Sequence, residues 1–106
     1  MPESDQVFLA VLRARIRLAR IKLRLRQVDV ADLLEIDLRS YQEYEAHVPP
    51  KKGFNPSVLT LRNLAQRLQI SVADLTREPE SAEMQALTSE KKLDASRSRV
   101  MPRAPE

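Results

Sequence analysis

The stretch LRQVDVADLLEIDLRSYQEYE, Leu25 to Glu45, decides how the rest of the chain is read. Its apolar residues recur at helical spacing, which predicts one helix from Gln27 to Leu34 with Val30, Ala31 and Leu34 turned inward. Glu35 and Ile36 then form a turn. Asp37 sits where an N-cap is needed, because its carboxylate can accept the unpaired amides of the next turn and its charge favours the positive helix terminus. A second helix therefore follows, from Leu38 to about Ala46.

Upstream, a helix is predicted from Val7 to Arg24, and at about 100° per residue its side chains sort into four stripes. Leu12, Ile16, Ala19 and Leu23 make one apolar face; Val11, Ala14, Leu18 and Ile21 make a second on roughly the opposite side. Arg13, Arg17, Arg20 and Arg24 lie on one flank between them, Arg15 and Lys22 on the other. Two apolar faces need two partners. Downstream, HVPPKKGFNP (47–56) cannot be helical throughout, since each Pro lacks an amide donor and pushes its predecessor toward extended geometry. Asn55-Pro56-Ser57 reads as a helix entrance, and Leu61, Leu64, Ala65 and Leu68 carry that helix from Pro56 to Leu68. Ser71 caps a short fifth helix, Val72 to Leu75, which Pro79 stops. Ser81 to Leu93 reads as a weak helix and Asp94 to Glu106, rich in Ser, Arg and Pro, as a disordered end.

Composition agrees with helices. The 106 residues leave room for one domain, and a core of about 60 to 70 residues buries only roughly 60 % of its unfolded surface. Bulk comes from Leu and Ile; the aromatics are Phe8, Tyr41, Tyr44 and Phe54, and Gly53 is the one glycine, whereas sandwiches and barrels usually need several turn glycines. An all-α fold is expected. Without cysteine there is no disulfide framework, thiolate zinc site or thiol nucleophile. The acidic start Met1 to Asp5 and the arginines that break every apolar run argue against a signal peptide or spanning helix, so a soluble cytoplasmic chain is expected. His47 is the single histidine and reads as a loop residue; no metal and no cofactor are expected. The carboxylates form no pair with a nucleophile or oxyanion donor beside it, so an enzyme is not expected.

Net charge is +3 but uneven. Between Arg13 and Arg26 stand seven basic residues and no acid, whereas Asp29, Asp32, Glu35, Asp37, Glu43 and Glu45 oppose Arg39 alone in the segment that follows. A basic block of this kind has two readings, a nucleic-acid surface or a solvated helix face.

Beyond the two short helices, the run Leu25, Gln27, Ala31, Leu34, Ile36, Tyr41, Tyr44 and Glu45 resembles the XRE, or Cro/cI-type, helix-turn-helix family. That pattern is Leu, polar, Gln, two variable residues, an aliphatic, Ala, and a recognition helix ending in aromatic-Glu. Arg15, Ile16, Arg17 and Arg20 fit the family's first helix. Pro56 to Leu61, Ala65, Leu68, Ile70, Ser71, Val72 and Leu75 fit its last two, so the resemblance spans residues 12–76. It implies a five-helix lambda-repressor-like DNA-binding domain over 7–78, followed by a C-terminal tail over 79–106. It implies a dimeric, nucleoid-associated transcriptional regulator whose partner is double-stranded DNA.

The resemblance also implies an ion pair between Arg20 and Glu45. It places Gln27 at a phosphate, where the alternative is a capping or solvated amide. Leu38, Arg39 and Ser40 would come nearest the bases, with Gln42 and Glu43 one turn further on. Arg39 can fork onto guanine O6 and N7, Leu38 can touch a thymine methyl, and Glu43 can accept from cytosine N4. Lys51 and Lys52 either clamp backbone phosphate or are solvated lysines on a loop longer than the common family form. Two departures matter. Glu35 stands at the turn position where the family usually has Gly, and Asp37 and Glu43 would face a polyanion with only Arg39 to oppose them, each uncompensated acid about 6 Å from a phosphate costing up to roughly 3 kcal/mol before screening. A protein-interaction module on the same fold, such as an antirepressor, antiactivator or antitoxin-like partner, is therefore the second reading. The second stripe of helix one and Ser81 to Leu93 are assigned to self-association, or to each other within one chain.

Overall fold

Six helices and no strand are found among residues 2–87, which the computed structural model describes. They are α1 (Glu3–Lys22), α2 (Gln27–Leu34), α3 (Leu38–Glu43), α4 (Val58–Leu68), α5 (Val72–Thr76) and α6, residues 81–87. None is long and apolar enough to cross a membrane. Residues 88–93 of the expected last helix, and the Asp94 to Glu106 end, lie outside the described residues.

Helix starts follow ordinary capping chemistry. Asp37, Ser57 and Ser71 each accept the amide three residues on, at Ser40, Thr60 and Asp74. Ser57 rather than Pro56 is thus the boundary of α4, and the helix begins at Val58. The first helix starts at Glu3, earlier than Val7, because the Pro2 carbonyl accepts from Asp5 and Gln6 and the acids Glu3 and Asp5 suit its positive end.

Helix stops are less ordinary, because the chain ends three helices in the left-handed conformation without glycine. Arg24, Glu35 and Gln69 take φ of 60°, 58° and 57°. In each case the next residue sends its amide back five positions: Leu25 to Arg20, Ile36 to Ala31 and Ile70 to Ala65. This is the Schellman arrangement, whose characteristic partner is an apolar residue just past the turn. Leu25, Ile36 and Ile70 fill that role and pack on the core. The side chain of each left-handed residue costs about 1 to 2 kcal/mol relative to a relaxed backbone, and the tucked aliphatic that follows offsets it.

Leu12 and Ile16 of α1 meet Val30, Ala31, Tyr41, Phe54, Leu64, Ala65, Leu68 and Leu75 in one buried cluster. The second stripe of α1 is also used within the chain. Val11, Ala14 and Leu18 share a cleft with Ala86 and Leu87 of α6, and Val11 is buried. Leu18 and Ile21 remain 58 % and 52 % exposed at the far end of the stripe.

Candidate nucleic-acid interface

Four arginines of α1 are spent on the ends of other helices and the turns just beyond them, while Lys22, Arg24 and Arg26 of the same basic run are exposed. Arg13 donates through Nε to the carbonyl of Ala46 at 2.8 Å, and Arg17 through Nη1 to that of Glu45 at 2.7 Å. Both carbonyls lie just past the negative end of α3, in the turn that follows it. Here α3 stops at Glu43, short of Ala46, and closes with tighter turns from Tyr44 to Tyr41 and from Glu45 to Gln42. Arg13 also lies over the Phe54 ring at 4.9 Å, and burial first, then Arg17, lowers its pKa. Arg15 does the same for α5. Its guanidinium donates to the carbonyls of Leu75, Arg77 and Glu78, and grips Glu83 of α6 with Nε at 2.9 Å and Nη2 at 2.8 Å.

Arg20 completes the set with a two-pronged pair to Glu45, Nε to Oε2 at 2.6 Å and Nη2 to Oε1 at 2.9 Å. Glu45 is 2 % exposed and also accepts from the Tyr41 hydroxyl and from Nε2 of Gln27. Burial opposes its charge, but hydrogen bonds from Arg20, Tyr41 and Gln27 outweigh it and hold the carboxyl below its usual value. Burial and the neighbouring carboxylate push the Tyr41 hydroxyl up.

The leading edge of α3 faces the other way. Asp37, Leu38 and Arg39 are exposed, Leu38 by 39 %. Ser40 is half-buried and gives both its amide and its hydroxyl to Asp37, at 3.0 and 2.7 Å, bonds that hold that carboxyl below its usual value. One turn on, Gln42 is exposed and donates to Oε1 of half-buried Gln27 at 3.1 Å. Glu43 meets Lys52 at 3.2 Å. Lys51 and Lys52 are exposed on the turn that Gly53 closes with φ of 94° and a bond to the Pro50 carbonyl. Arg39, Gln42, Glu43, Lys51 and Lys52 line one open cleft with Val48 and Pro50.

The eight residues proposed from the sequence therefore fall into two groups. Leu38, Arg39, Gln42, Glu43, Lys51 and Lys52 stand along one side of α3 and its flanking loop. Gln27 and Ser40 are half-buried and turned to Glu45 and Asp37, whereas Gln42 and Glu43, though bonded to Gln27 and Lys52, still line the open cleft. Comparison with protein-family models, with curated proteins and with solved structures found no match.

Two features went unread in the sequence. Arg26, its side chain 77 % exposed, stands beside Gln27 at the mouth of α2 and pairs with Asp29; its signal was its place just before a helix start. The Arg15 to Glu83 grip has no local signal, because its partners are 68 residues apart.

Proposed function

We propose that this chain is a sequence-specific duplex-DNA-binding transcriptional regulator of the XRE (Cro/cI) type. On this reading it is a lambda-repressor-like domain with a C-terminal extension, and α2 and α3 form its helix-turn-helix. A homodimer would set the two α3 helices in successive major grooves, about 34 Å apart, and repress by covering a promoter. One observation carries this reading: α3 is held by its tail, through Arg13, Arg17 and Arg20, while its leading edge with Leu38 and Arg39 stands clear. A rigid probe gripped from behind is what major-groove readout needs.

Arg39 is the base reader with the best chemistry, since its fork matches guanine O6 and N7. Lys51 and Lys52 flank it as phosphate contacts, and the pairing of Lys52 with Glu43 removes part of the repulsion an acid would meet at the backbone. Selection of bound sites from a random duplex library tests the reading. An inverted repeat should emerge, and its affinity should fall with salt at a slope of roughly −4 if Lys51 and Lys52 of both protomers neutralise phosphates. No selected site, or a flat salt response, overturns it.

A protein-interaction module is the second reading, favoured by the exposure of Val48, Val58 and Leu59, 73 %, 76 % and 68 %. Arg39→Ala separates the two: a DNA reader loses site selection while folded, and an adaptor keeps its activity.

A further inference from the structure

Hydrogen-bond polarity runs outward from the core through three side chains. Glu45 is charged and can only accept. Gln27 must therefore turn Nε2 toward it, at 3.0 Å, which leaves the Gln27 oxygen facing α3. Gln42 must in turn offer Nε2 to that oxygen, at 3.1 Å. The two ends of a glutamine amide are nearly equal in size, so only the network decides which way it points. Here the decision is made at a buried carboxylate that also anchors Arg20 and Tyr41. Gln42 is left exposed with its Oε1 as an acceptor and one N–H still to give.

We propose that Glu45, acting through Gln27, is a positioning residue that locks the amide of Gln42, and that Gln42 so locked reads adenine in the major groove. The proposal rests on the DNA-binding reading above. A fixed outward acceptor suits a base edge with an amino group and rejects the carbonyls of guanine O6 and thymine O4. Adenine alone places an acceptor, N7, beside its amino group, so the remaining N–H completes a two-bond pair. Were the amide able to turn over, it would offer two donors instead, and guanine and thymine would be accepted.

The test compares site selection by the wild type, Gln42→Ala and Gln27→Met, together with the side-chain amide resonances of each protein without DNA. The wild type should prefer adenine over guanine at one position of each half-site by about tenfold or more. Gln42→Ala should lose that preference at that position alone. Gln27→Met, with Gln42 intact, should shrink it to within about threefold and leave the rest of the consensus unchanged. In the free protein, the Gln42 Nε2 proton given to Gln27 should be displaced from the position of a solvated side-chain amide proton, and Gln27→Met should return it there. A selected site whose adenine survives Gln42→Ala or Gln27→Met overturns the proposal and leaves DNA binding standing. Unchanged amide resonances in Gln27→Met overturn the lock without reference to DNA. A wild type with no selected site overturns the DNA reading and, with it, the role of Gln42 in specificity.

Discussion

The arginines of α1 and the leading edge of α3 use charge in opposite ways. In α1, Arg13, Arg15, Arg17 and Arg20 all point at carbonyls or carboxylates at helix ends or in the turns just past them, and Arg13 and Arg15 are buried. Around α3, exposed Arg39, Lys51 and Lys52 are few and share their surroundings with Asp37 and Glu43. Four of the seven basic residues in the densest run are thus turned inward to helix ends and the turns beyond them, while Lys22, Arg24 and Arg26 are exposed, and the candidate interface is the place where the sequence looks acidic. Charge per residue reports how much is present; only the partner tells what it does.

Breaking the inner set should cost most. Arg20→Ala leaves the Glu45 carboxylate buried without its cation, and a loss of about 3 to 5 kcal/mol in unfolding free energy is expected from urea titration. A loss under about 1 kcal/mol would show that the pair is solvated and the contrast with α3 overstated. Arg15→Met removes the grip on Glu83 and on three carbonyls, with an expected loss of about 2 to 3 kcal/mol; thermal unfolding followed by circular dichroism checks it.

Acid should loosen the same region. Glu83 is held at about 2, chiefly by the Arg15 hydrogen bond, against an ordinary value of 4.5, and Glu45 is lowered too. Both are more acidic folded than unfolded, so their stabilisation is in place above 4.5 and drains away as pH falls toward about 2. The melting temperature should be level above that window and drop within it, and Glu83→Gln should flatten part of the drop. A melting temperature that stays level through the window would contradict the Arg15 grip.

At the outer edge, stability and selection should separate. Arg39→Ala should change unfolding free energy by less than about 0.5 kcal/mol and cost about 1 to 3 kcal/mol of discrimination at one base pair, read from competition binding. The turn between α2 and α3 should give a modest gain in stability. Glu35→Gly should raise unfolding free energy by about 1 kcal/mol, because Glu35 holds a left-handed backbone that glycine adopts without strain.

Much of this was legible from local pattern. The extent of α2, the caps Asp37 and Ser71 and the inward positions Leu12, Ile16, Val30, Ala31, Leu64, Ala65 and Leu68 follow from spacing alone. The Arg20 to Glu45 pair was implied by the family pattern and is present. The end of α3 was not legible, since it depends on Arg13 and Arg17 taking the carbonyls of Ala46 and Glu45 from another helix. Nor was the role of Gln27, whose residue type suits a phosphate as well as a neighbouring carboxylate.

Helical periodicity, capping residues and the prolines of 47–56 act within a few residues, so the sequence by itself determined where helices form, which faces turn inward and that residues 2–87 fold as helices without a strand. The tertiary structure alone decided which acceptors Arg13, Arg15 and Arg17 meet, which way the amide of Gln42 points and that the second stripe of α1 is shared with α6. The physical reason is separation. Those contacts join residues as far as 68 apart, and an arginine fork fits any carbonyl or carboxylate that folding brings within reach.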